Sequence, residues 1–277
     1  MTDTIPHLTL NDGQRIAQIG FGTWPLDDGQ AETAVQTALG SGYRLIDTAA
    51  RYGNEVGVGR GIAASGLPRA EVQITSKLRG SEHGYDSTLR AFDATLADLG
   101  TDYLDLYLVH WPLPMRDLYV DTWRAFVRLR EEGRIRSIGV SNFQPAHIER
   151  LQSETGVLPA VNQIELHPDF TQADLRAWHA QQGIVIESWS PLGRGALLQD
   201  ASVLRLAQKH GRSAAQILLR WHVQHGLVAI PKSQDPLRMR QNLQVFDFAL
   251  DADDLAALAL LDGEHRQGAH PDTNDER

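Results

Sequence analysis

The chain has 277 residues, of which 42% are hydrophobic, and a formal net charge of −9. It is long enough to bury the core of one α/β barrel, so we expect residues 1–277 to form a single domain. The sequence contains no cysteine, which excludes disulfides, thiolate nucleophiles and cysteine-bound zinc, and the negative charge argues against a nucleic-acid partner.

The first predicted element is a β-hairpin. Leu8–Leu10 and Arg15–Ala17 flank an Asn-Asp-Gly sequence at positions 11–13, a pattern typical of a tight turn between two strands. The N-terminal MTDTIPHLTL lacks the basic region and apolar run of a secretion signal. No stretch approaches the roughly eighteen apolar residues of a membrane span, so we expect a cytoplasmic protein without a membrane partner.

Eight short apolar runs follow the hairpin, and segments with helical spacing separate them. The predicted strands are Ile19–Gly22, Leu45–Asp47, Gln73–Lys77, Asp105–His110, Ser137–Ser141, Val161–Glu165, Val185–Ser188 and Val228–Pro231. The clearest predicted helices are Ala31–Ser41, Ser87–Leu99, Tyr119–Glu132, Gln172–Gln182 and Ala214–Gln224. Strands that alternate with helices form a parallel sheet. Eight such units in one α/β domain favour a closed (β/α)8 TIM barrel over an open sheet, with the hairpin at the barrel bottom.

A glycine-rich segment in the second unit matches a cofactor-binding pattern. Residues 59–64, GRGIAA, fit the G-x-G-x-x-G/A turn of dinucleotide-binding folds. That turn joins a strand to a helix, whereas the segment from Asn54 and Glu55 already has the pattern of a helix when the glycines arrive. We therefore interpret these small residues as packing a helix against the barrel.

The residues after Leu261 form a polar tail, 262–277, with no apolar period. A segment of this composition is either mobile or a loop over the site. The sequence leaves both alternatives open.

Four polar residues lie at or just after the C-terminal ends of consecutive predicted strands: Asp47, Tyr52, Lys77 and His110. Barrel enzymes assemble their sites at this rim. Each residue alone has an ordinary structural explanation, such as a turn cap, an ion pair or a half-buried imidazole. Together they suit proton transfer, because an ammonium held by a carboxylate lowers the pKa of a nearby tyrosine from roughly 10. A carbonyl oxygen that receives a hydride needs such a proton donor.

Motifs at and beyond these four residues resemble those of the aldo-keto reductase family, and the likeness runs from Gly20 to about Phe248. The matching motifs are GFGTWPL, LIDTAARYGNE, TSKL, LDLYLVHWP, GVSNF, VNQIELHP, SWSPLGRG and IPKS. The resemblance implies a barrel enzyme that reduces aldehydes or ketones with NADPH. It implies Tyr52 as the general acid, Lys77 and Asp47 as the residues that lower its pKa, and His110 as the residue that positions the carbonyl.

The same resemblance implies a cofactor site. Ser141, Asn142 and Gln163 match residues that hydrogen-bond the nicotinamide carboxamide, and Trp189 matches the ring that stacks on the nicotinamide. Many members have tyrosine at this position. In having tryptophan there, the chain resembles the bacterial 2,5-diketo-D-gluconate reductases of the family. The alternative for this side chain is ordinary core packing. The other implied cofactor-binding residues, which include those lining the pyrophosphate, are Thr23, Ser190, Leu192 and Gly193.

The last implied cluster binds the adenosine half of the cofactor. It comprises Lys232, Ser233, Arg238, Gln241 and Asn242. A cation, a hydroxyl and a guanidinium suit a 2′-phosphate, which favours NADPH over NADH. Two departures from the family pattern are Asp235, where an uncharged residue is usual, and Gln241, where a glutamate commonly contacts adenine. We therefore expect NADPH as the cofactor, with some use of NADH.

Aromatic residues are predicted to form the substrate pocket. Trp24, Trp111 and Phe143 would make an apolar wall of the kind that small ligands bind, with core packing as the alternative for each. Arg79 departs from the family, in which tryptophan is common at this place. A guanidinium there would either meet a substrate carboxylate or phosphate, or turn to solvent.

Two other classes of function compete with a reductase. His110, Glu165, His167 and Asp169 could be read as hydrolase carboxylates or metal ligands, but no metal-binding spacing supports them, and we expect no metal. The second class is a non-catalytic barrel that senses NADPH, which the complete set of four catalytic residues opposes. The substrate is expected to be a small carbonyl compound, from aldehydes and dicarbonyls to keto sugars and α-keto acids, and the protein is expected to be a monomer.

Overall fold

The chain begins with an antiparallel hairpin. The computed structural model describes residues 5–263 and 265–276, and its first strands are β1 (His7–Thr9) and β2 (Arg15–Ala17). Gly13 has a φ of 86°, a left-handed conformation that glycine adopts without steric cost. The predicted hairpin is confirmed, with β1 one residue earlier than expected.

Eight parallel strands then pair in chain order within the described residues. They are β3 (Phe21–Gly22), β4 (Leu45–Asp47), β5 (Gln73–Leu78), β6 (Leu104–Val109), β7 (Ile135–Ser141), β8 (Val161–Glu165), β9 (Val185–Trp189) and β10 (Val228–Ile230). The first and last strands meet where Ile19 bridges Ala229 and where the Gly22 amide donates to the Pro231 carbonyl at 3.1 Å. The sheet therefore closes into the predicted (β/α)8 barrel.

Helices surround the barrel. They are α1 (Asp28–Ser41), α2 (Glu55–Ala64), α3 (Tyr85–Leu99), α4 (Tyr119–Glu131), α5 (Pro145–Thr155), α6 (Ala173–Gln182), α7 (Ala201–His210), α8 (Ala214–Gln224), α9 (Pro236–Leu243) and α10 (Ala252–Ala259). The five helices predicted from spacing are confirmed, with ends within three residues of those expected. Among residues 5–263 and 265–276, no helix has both the length and the apolar character needed to cross a membrane.

The hairpin lies at the N-terminal ends of the strands. Gln73, the first residue of β5, donates to the Arg15 carbonyl at 2.6 Å and accepts from the Ala17 amide at 2.9 Å. Leu10 and Ile16 pack in one buried cluster with barrel side chains. The hairpin thus covers the barrel bottom, which leaves the opposite rim for a site.

The glycine-rich segment packs α2 against its neighbours. A Cβ on Gly59 would lie 2.4 Å from the Leu99 carbonyl oxygen, and one on Gly61 would lie 2.6 Å from the Glu32 carbonyl oxygen. Both glycines lie inside α2. The interpretation that these small residues allow close packing of a helix is therefore confirmed, but the close contacts are with α1 and α3 and not with the barrel strands.

Candidate active site

The four candidate catalytic residues meet at the C-terminal rim of the barrel. Asp47 ends β4, Lys77 is the second-last residue of β5, and His110 follows β6. Tyr52 lies in a short 3-10 turn after β4. Asp47, Tyr52 and His110 line a cavity of about 1100 Å³, and Lys77 is buried directly behind them.

Lys77 organises this cluster through three hydrogen bonds. Its Nζ donates to Asp47 Oδ1 at 2.6 Å, to the Thr48 carbonyl at 3.0 Å and to Tyr52 Oη at 3.3 Å. An ammonium has three protons, and these contacts use all of them. The Tyr52 oxygen therefore accepts from Lys77, and its own O–H remains available to donate into the cavity.

Burial and charge shift the pKa of Tyr52 in opposite directions. Burial raises the pKa of Tyr52 above 10.0, and the Lys77 charge lowers it by less. Burial, the largest single effect, lowers the pKa of Lys77, but the charges of Asp47, Tyr52 and Glu187 and the hydrogen bond to Asp47 together outweigh it and leave that pKa raised. The predicted effect of Lys77 is thus present, whereas the predicted net lowering of the Tyr52 pKa is wrong for the chain by itself. Tyr52 is a protonated phenol at neutral pH, the form that a general acid requires.

His110 contacts a carboxylate from the polar tail. Its Nδ1 lies 3.0 Å from Glu276 Oε1, and the Gly80 amide donates to Glu276 Oε2 at 2.6 Å. Burial lowers the pKa of His110, and Glu276 opposes this lowering only in part. His110 is therefore an uncharged imidazole at neutral pH. Its ring meets the Tyr52 ring edge to face, with 5.9 Å between centroids.

The polar tail lies over the site, which is one of the two alternatives that the sequence left open. Glu165 Oε1 accepts from the Gln267 amide at 2.6 Å, and Glu165 Oε2 accepts from the Gly268 amide at 2.9 Å. A Cβ on Gly268 would lie 2.5 Å from the Trp189 ring, so only glycine allows this approach. Glu165 thus fixes the tail against the side chain predicted to stack on the nicotinamide.

We expect Glu165→Gln to loosen the tail, because an amide side chain offers one oxygen in place of two. A lost hydrogen bond to a charged group is worth about 1.5–3 kcal/mol, which corresponds to about tenfold or more in local opening. Amide hydrogen exchange at residues 265–270 should therefore accelerate. Glu149→Gln, on the exposed surface of α5, is the control, and unchanged protection in Glu165→Gln would contradict this assignment.

Three of the four residues considered as a hydrolase or metal site, Glu165, His167 and Asp169, contact one another instead. His167 Nε2 lies 3.2 Å from Glu165 Oε1, and His167 Nδ1 contacts Asp169. None of these three is among the residues that line the cavity. Over residues 5–263 and 265–276, no three His, Cys, Asp or Glu side chains are grouped in a way that could hold a metal ion.

The residues predicted at the nicotinamide form a hydrogen-bonded strip along the cavity. Ser141 Oγ donates to the Gln163 carbonyl at 2.8 Å, Asn142 Nδ2 donates to the His110 carbonyl at 3.0 Å, and Trp189 Nε1 donates to Asn142 Oδ1 at 2.9 Å. Asn142 has a φ of 62°. A left-handed non-glycine residue is strained, and such residues concentrate at functional sites. The side chains of Ser141, Asn142 and Trp189 are therefore held by hydrogen bonds within the protein before any ligand binds.

The remaining predicted cofactor residues divide into those on the cavity wall and those behind it. The residues on the wall are Ser190, Leu192, Lys232, Ser233, Arg238, Gln241 and Asn242. Thr23 is fully buried, and its Oγ1 donates to the Asp47 carbonyl at 3.1 Å. Gly193 is buried just behind the wall and has a φ of 55°.

Asp235, the unexpected acid near the predicted phosphate position, caps a helix. Its carboxylate accepts from the Leu237 amide at 2.7 Å and from the Arg238 amide at 3.1 Å, at the N-terminus of α9. These bonds lower the pKa of Asp235. Its negative charge therefore remains beside Lys232 and Ser233, where it opposes an anionic ligand.

The predicted substrate residues have different positions. Trp24 and Trp111 line the cavity, and Trp24 is 50% exposed. Phe143 is fully buried and packs edge to face on Tyr119. Core packing, the alternative given for this side chain, therefore describes it. Arg79 is exposed and is not among the cavity-lining residues, so the structure does not bring it to the site.

Two carboxyl groups near the site had not been predicted. Glu187 is fully buried on β9, two residues before Trp189, and accepts a hydrogen bond from Gln163. Strand alternation could have found it, because side chains two residues apart share a face. No feature of the sequence indicated Glu276, because the tail has no periodicity from which its contact with His110 could be predicted.

The chain is similar to known proteins over most of its length. It matches the Aldo/keto reductase family over residues 18–262. An aldo-keto reductase of Mycobacterium sp. (strain JLS) is 54% identical, and the match covers 97% of each chain. The glyoxal reductase of Bacillus subtilis (strain 168) is 46% identical with 95% of each chain covered, and the methylglyoxal reductase DkgA of Yersinia pestis is 46% identical with 96% of each chain covered.

Solved structures share the fold. An aldo/keto reductase from Brucella melitensis has a TM-score of 0.91 and 53% identity, over 94% of this chain and 100% of that one. A variant of Gox0644 in complex with NADPH has a TM-score of 0.95 and 46% identity, over 99% of this chain and 100% of that one. The eight-stranded barrel, the motifs and these relatives agree, and the chain belongs to the aldo/keto reductase family of oxidoreductases.

Proposed function

We propose that this protein reduces small aldehydes and dicarbonyl compounds to alcohols with NADPH, and that Tyr52 is the general acid. The observation that carries the proposal is the contact set of Lys77. Its three protons are all donated within the cluster, which leaves the Tyr52 hydroxyl as the proton donor that faces the cavity.

Each of the four residues has a distinct part in the proposed reaction. The nicotinamide, when bound, supplies a hydride to the carbonyl carbon. Tyr52 donates its proton to the carbonyl oxygen, and Lys77 stabilises the resulting phenolate through the existing hydrogen bond. Asp47 keeps Lys77 charged in a buried position. His110 orients the carbonyl as an uncharged ring.

The cavity suits a dinucleotide that carries a phosphate on its adenosine half. Its wall includes the aromatic rings of Tyr52 and Trp189 and the cations Lys232 and Arg238, so that it offers both aromatic surface and positive charge. Gln163 and Asn142 would hold the carboxamide. The fit to NADPH is supported by the NADPH complex of the related Gox0644 variant.

Lys232→Met is expected to raise the Michaelis constant for NADPH by about tenfold or more, because a charge-assisted contact to the 2′-phosphate is lost. The Michaelis constant for NADH should stay close to that of the wild type. Initial rates with each cofactor measure both values. Arg240→Met, an exposed cation of α9 outside the cavity lining, is the control, and an unchanged NADPH constant in Lys232→Met would contradict the assignment.

Small, uncharged dicarbonyl compounds are the substrate class that the site favours. Two relatives are named as reductases of glyoxal and of methylglyoxal. In this chain the Glu276 carboxylate lies beside His110, and Arg51 on the cavity wall already pairs with it at 3.8 Å. Among residues 5–263 and 265–276, a substrate carboxylate would therefore meet the Glu276 charge at this point, where the Arg51 cation is already paired, which disfavours α-keto acids.

Initial rates of NADPH oxidation with glyoxal, methylglyoxal, glyoxylate and a keto sugar test the proposed function. We expect turnover of glyoxal and methylglyoxal, and a lower kcat/KM for glyoxylate than for glyoxal. The absence of turnover with all four, together with retained NADPH binding, would instead support the non-catalytic sensor.

A further inference from the structure

Glu187 is a buried carboxyl group that the proposed mechanism does not use. It lies beside Gln163, its register partner on the neighbouring strand β8. Gln163 Nε2 donates to Glu187 Oε1 at 2.8 Å and to Asp47 Oδ2 at 2.7 Å. One amide group therefore bridges the carboxylate of the proposed catalytic cluster and this second carboxyl group.

The second carboxyl is neutral at pH 7. Lys77 donates to Asp47 but not to Glu187, and Glu187 Oε2 has no hydrogen-bond partner within residues 5–263 and 265–276. A buried charge without a partner is far more costly than a buried neutral group. Burial and the Asp47 charge raise the pKa of Glu187 to about 8, although the Lys77 charge lowers it.

These contacts determine how the Gln163 amide is turned. Its nitrogen has two protons, and one is donated to each carboxyl group. The amide oxygen is therefore the atom left for the cavity that Gln163 lines. An amide oxygen accepts from the NH2 group of a nicotinamide carboxamide, whereas a reversed Gln163 would present only donors to it.

We propose that protonated Glu187 is a positioning residue, which holds the Gln163 amide in the orientation that receives the nicotinamide carboxamide. The proposal rests on the NADPH-dependent function proposed above. Ionisation of Glu187 places a second negative charge beside the Asp47–Lys77 pair. That charge attracts Lys77 away from Tyr52, so hydride transfer slows as Glu187 ionises.

Two substitutions distinguish the effect of the shape of the Glu187 side chain from the effect of its proton. Glu187→Gln keeps the acceptor oxygen and cannot ionise, whereas Glu187→Leu removes the acceptor at similar volume. Glu55→Gln is the matched control. Glu55 is also a buried carboxyl group with a pKa raised by burial, to about 7, but its hydrogen bonds come from Ser76 and Thr95 rather than from Gln163.

Infrared spectroscopy of the protein without cofactor tests the protonation state. Glu55 also contributes to the carbonyl stretch of protonated carboxylic acids at pH 7, so the measurement is made in the Glu55→Gln background. There the acid band should be present at pH 7, should be lost when Glu187→Gln is added, and should fade as the pH rises through about 8. Stability gives a second readout. The unfolded chain ionises this group near 4.5 and the folded chain near 8, so the wild type should lose free energy of unfolding relative to Glu187→Gln as pH rises between these values.

Kinetics test the positioning role. Glu187→Leu should lower kcat for methylglyoxal by about tenfold or more with little change in its KM, because a misoriented reactant loses rate rather than affinity. Glu187→Gln should stay close to wild type at pH 7 and lose the decline in kcat near pH 8, which Glu55→Gln should retain. A wild-type kcat in Glu187→Leu, or the absence of the acid band at pH 7, would overturn the proposal. A wild type that oxidises no NADPH would instead contradict the proposed function, and the infrared result would be unaffected.

Discussion

Tyr52→Phe is expected to lower kcat for methylglyoxal reduction by about 10²–10⁴-fold, the range that general acid catalysis supplies. The phenyl ring keeps the edge-to-face contact with His110 and removes only the hydroxyl. Lys77 is not expected to replace it as the proton donor, because it retains contacts with Asp47 and Thr48. Single-turnover rates with NADPH in excess measure the loss.

Cofactor binding provides the control for this variant. Tyr52 is not among the residues proposed to hold the carboxamide or the phosphate, so the dissociation constant for NADPH should stay close to that of the wild type. Fluorescence titration measures it. A variant that reduces methylglyoxal at the wild-type rate would show that another group donates the proton.

Lys77→Met is expected to damage both stability and activity. Asp47 is 4% exposed and would lose the ion-pair partner that lies 2.6 Å away. Breaking a buried ion pair from one side costs about 3–5 kcal/mol of the free energy of unfolding, because the remaining charge is uncompensated. Tyr52 would also lose the Lys77 charge that lowers its pKa, and we expect little residual reductase activity. Urea unfolding and initial rates measure the two effects.

The double substitution Asp47→Asn with Lys77→Met separates these effects. It removes the uncompensated charge, so it should be more stable than Lys77→Met alone. It should remain inactive, because Tyr52 still lacks its partner. A double variant that regains reductase activity, or a Lys77→Met protein as stable as the wild type, would contradict the role given to this pair.

The barrel could be predicted because its strands are buried on both faces. The run 104–109 is apolar at all but one position, and 135–141 is buried at all but one position; a strand without an exposed face is typical of a parallel sheet. The residues at which the strands begin and end could not be predicted as well, because pairing beyond the apolar run depends on the neighbouring strand. The closure at Ile19 and Ala229 joins the two ends of the domain, and no local pattern shows it.

The residues of the candidate site that follow the order of the strands could be predicted from the sequence. Features that depend on how deeply a side chain is buried, or on the path of the polar tail, could not. Asp47, Lys77 and His110 follow consecutive strands, so parallel pairing brings them together. The net direction of the Tyr52 pKa depends on how deeply the side chain is buried, which the sequence does not show. The contact of Glu276 with His110 depends on the path of the tail, where no periodicity constrains the chain.

Transfer of deuterium from NADPH labelled at nicotinamide C4 tests the central claim most directly. With methylglyoxal and the wild type, we expect deuterium on the carbinol carbon of the product, and we expect Tyr52→Phe to form this labelled product about 10²–10⁴-fold more slowly. An unlabelled alcohol from the wild type, or formation of the labelled product at the wild-type rate by Tyr52→Phe, would contradict the proposed mechanism.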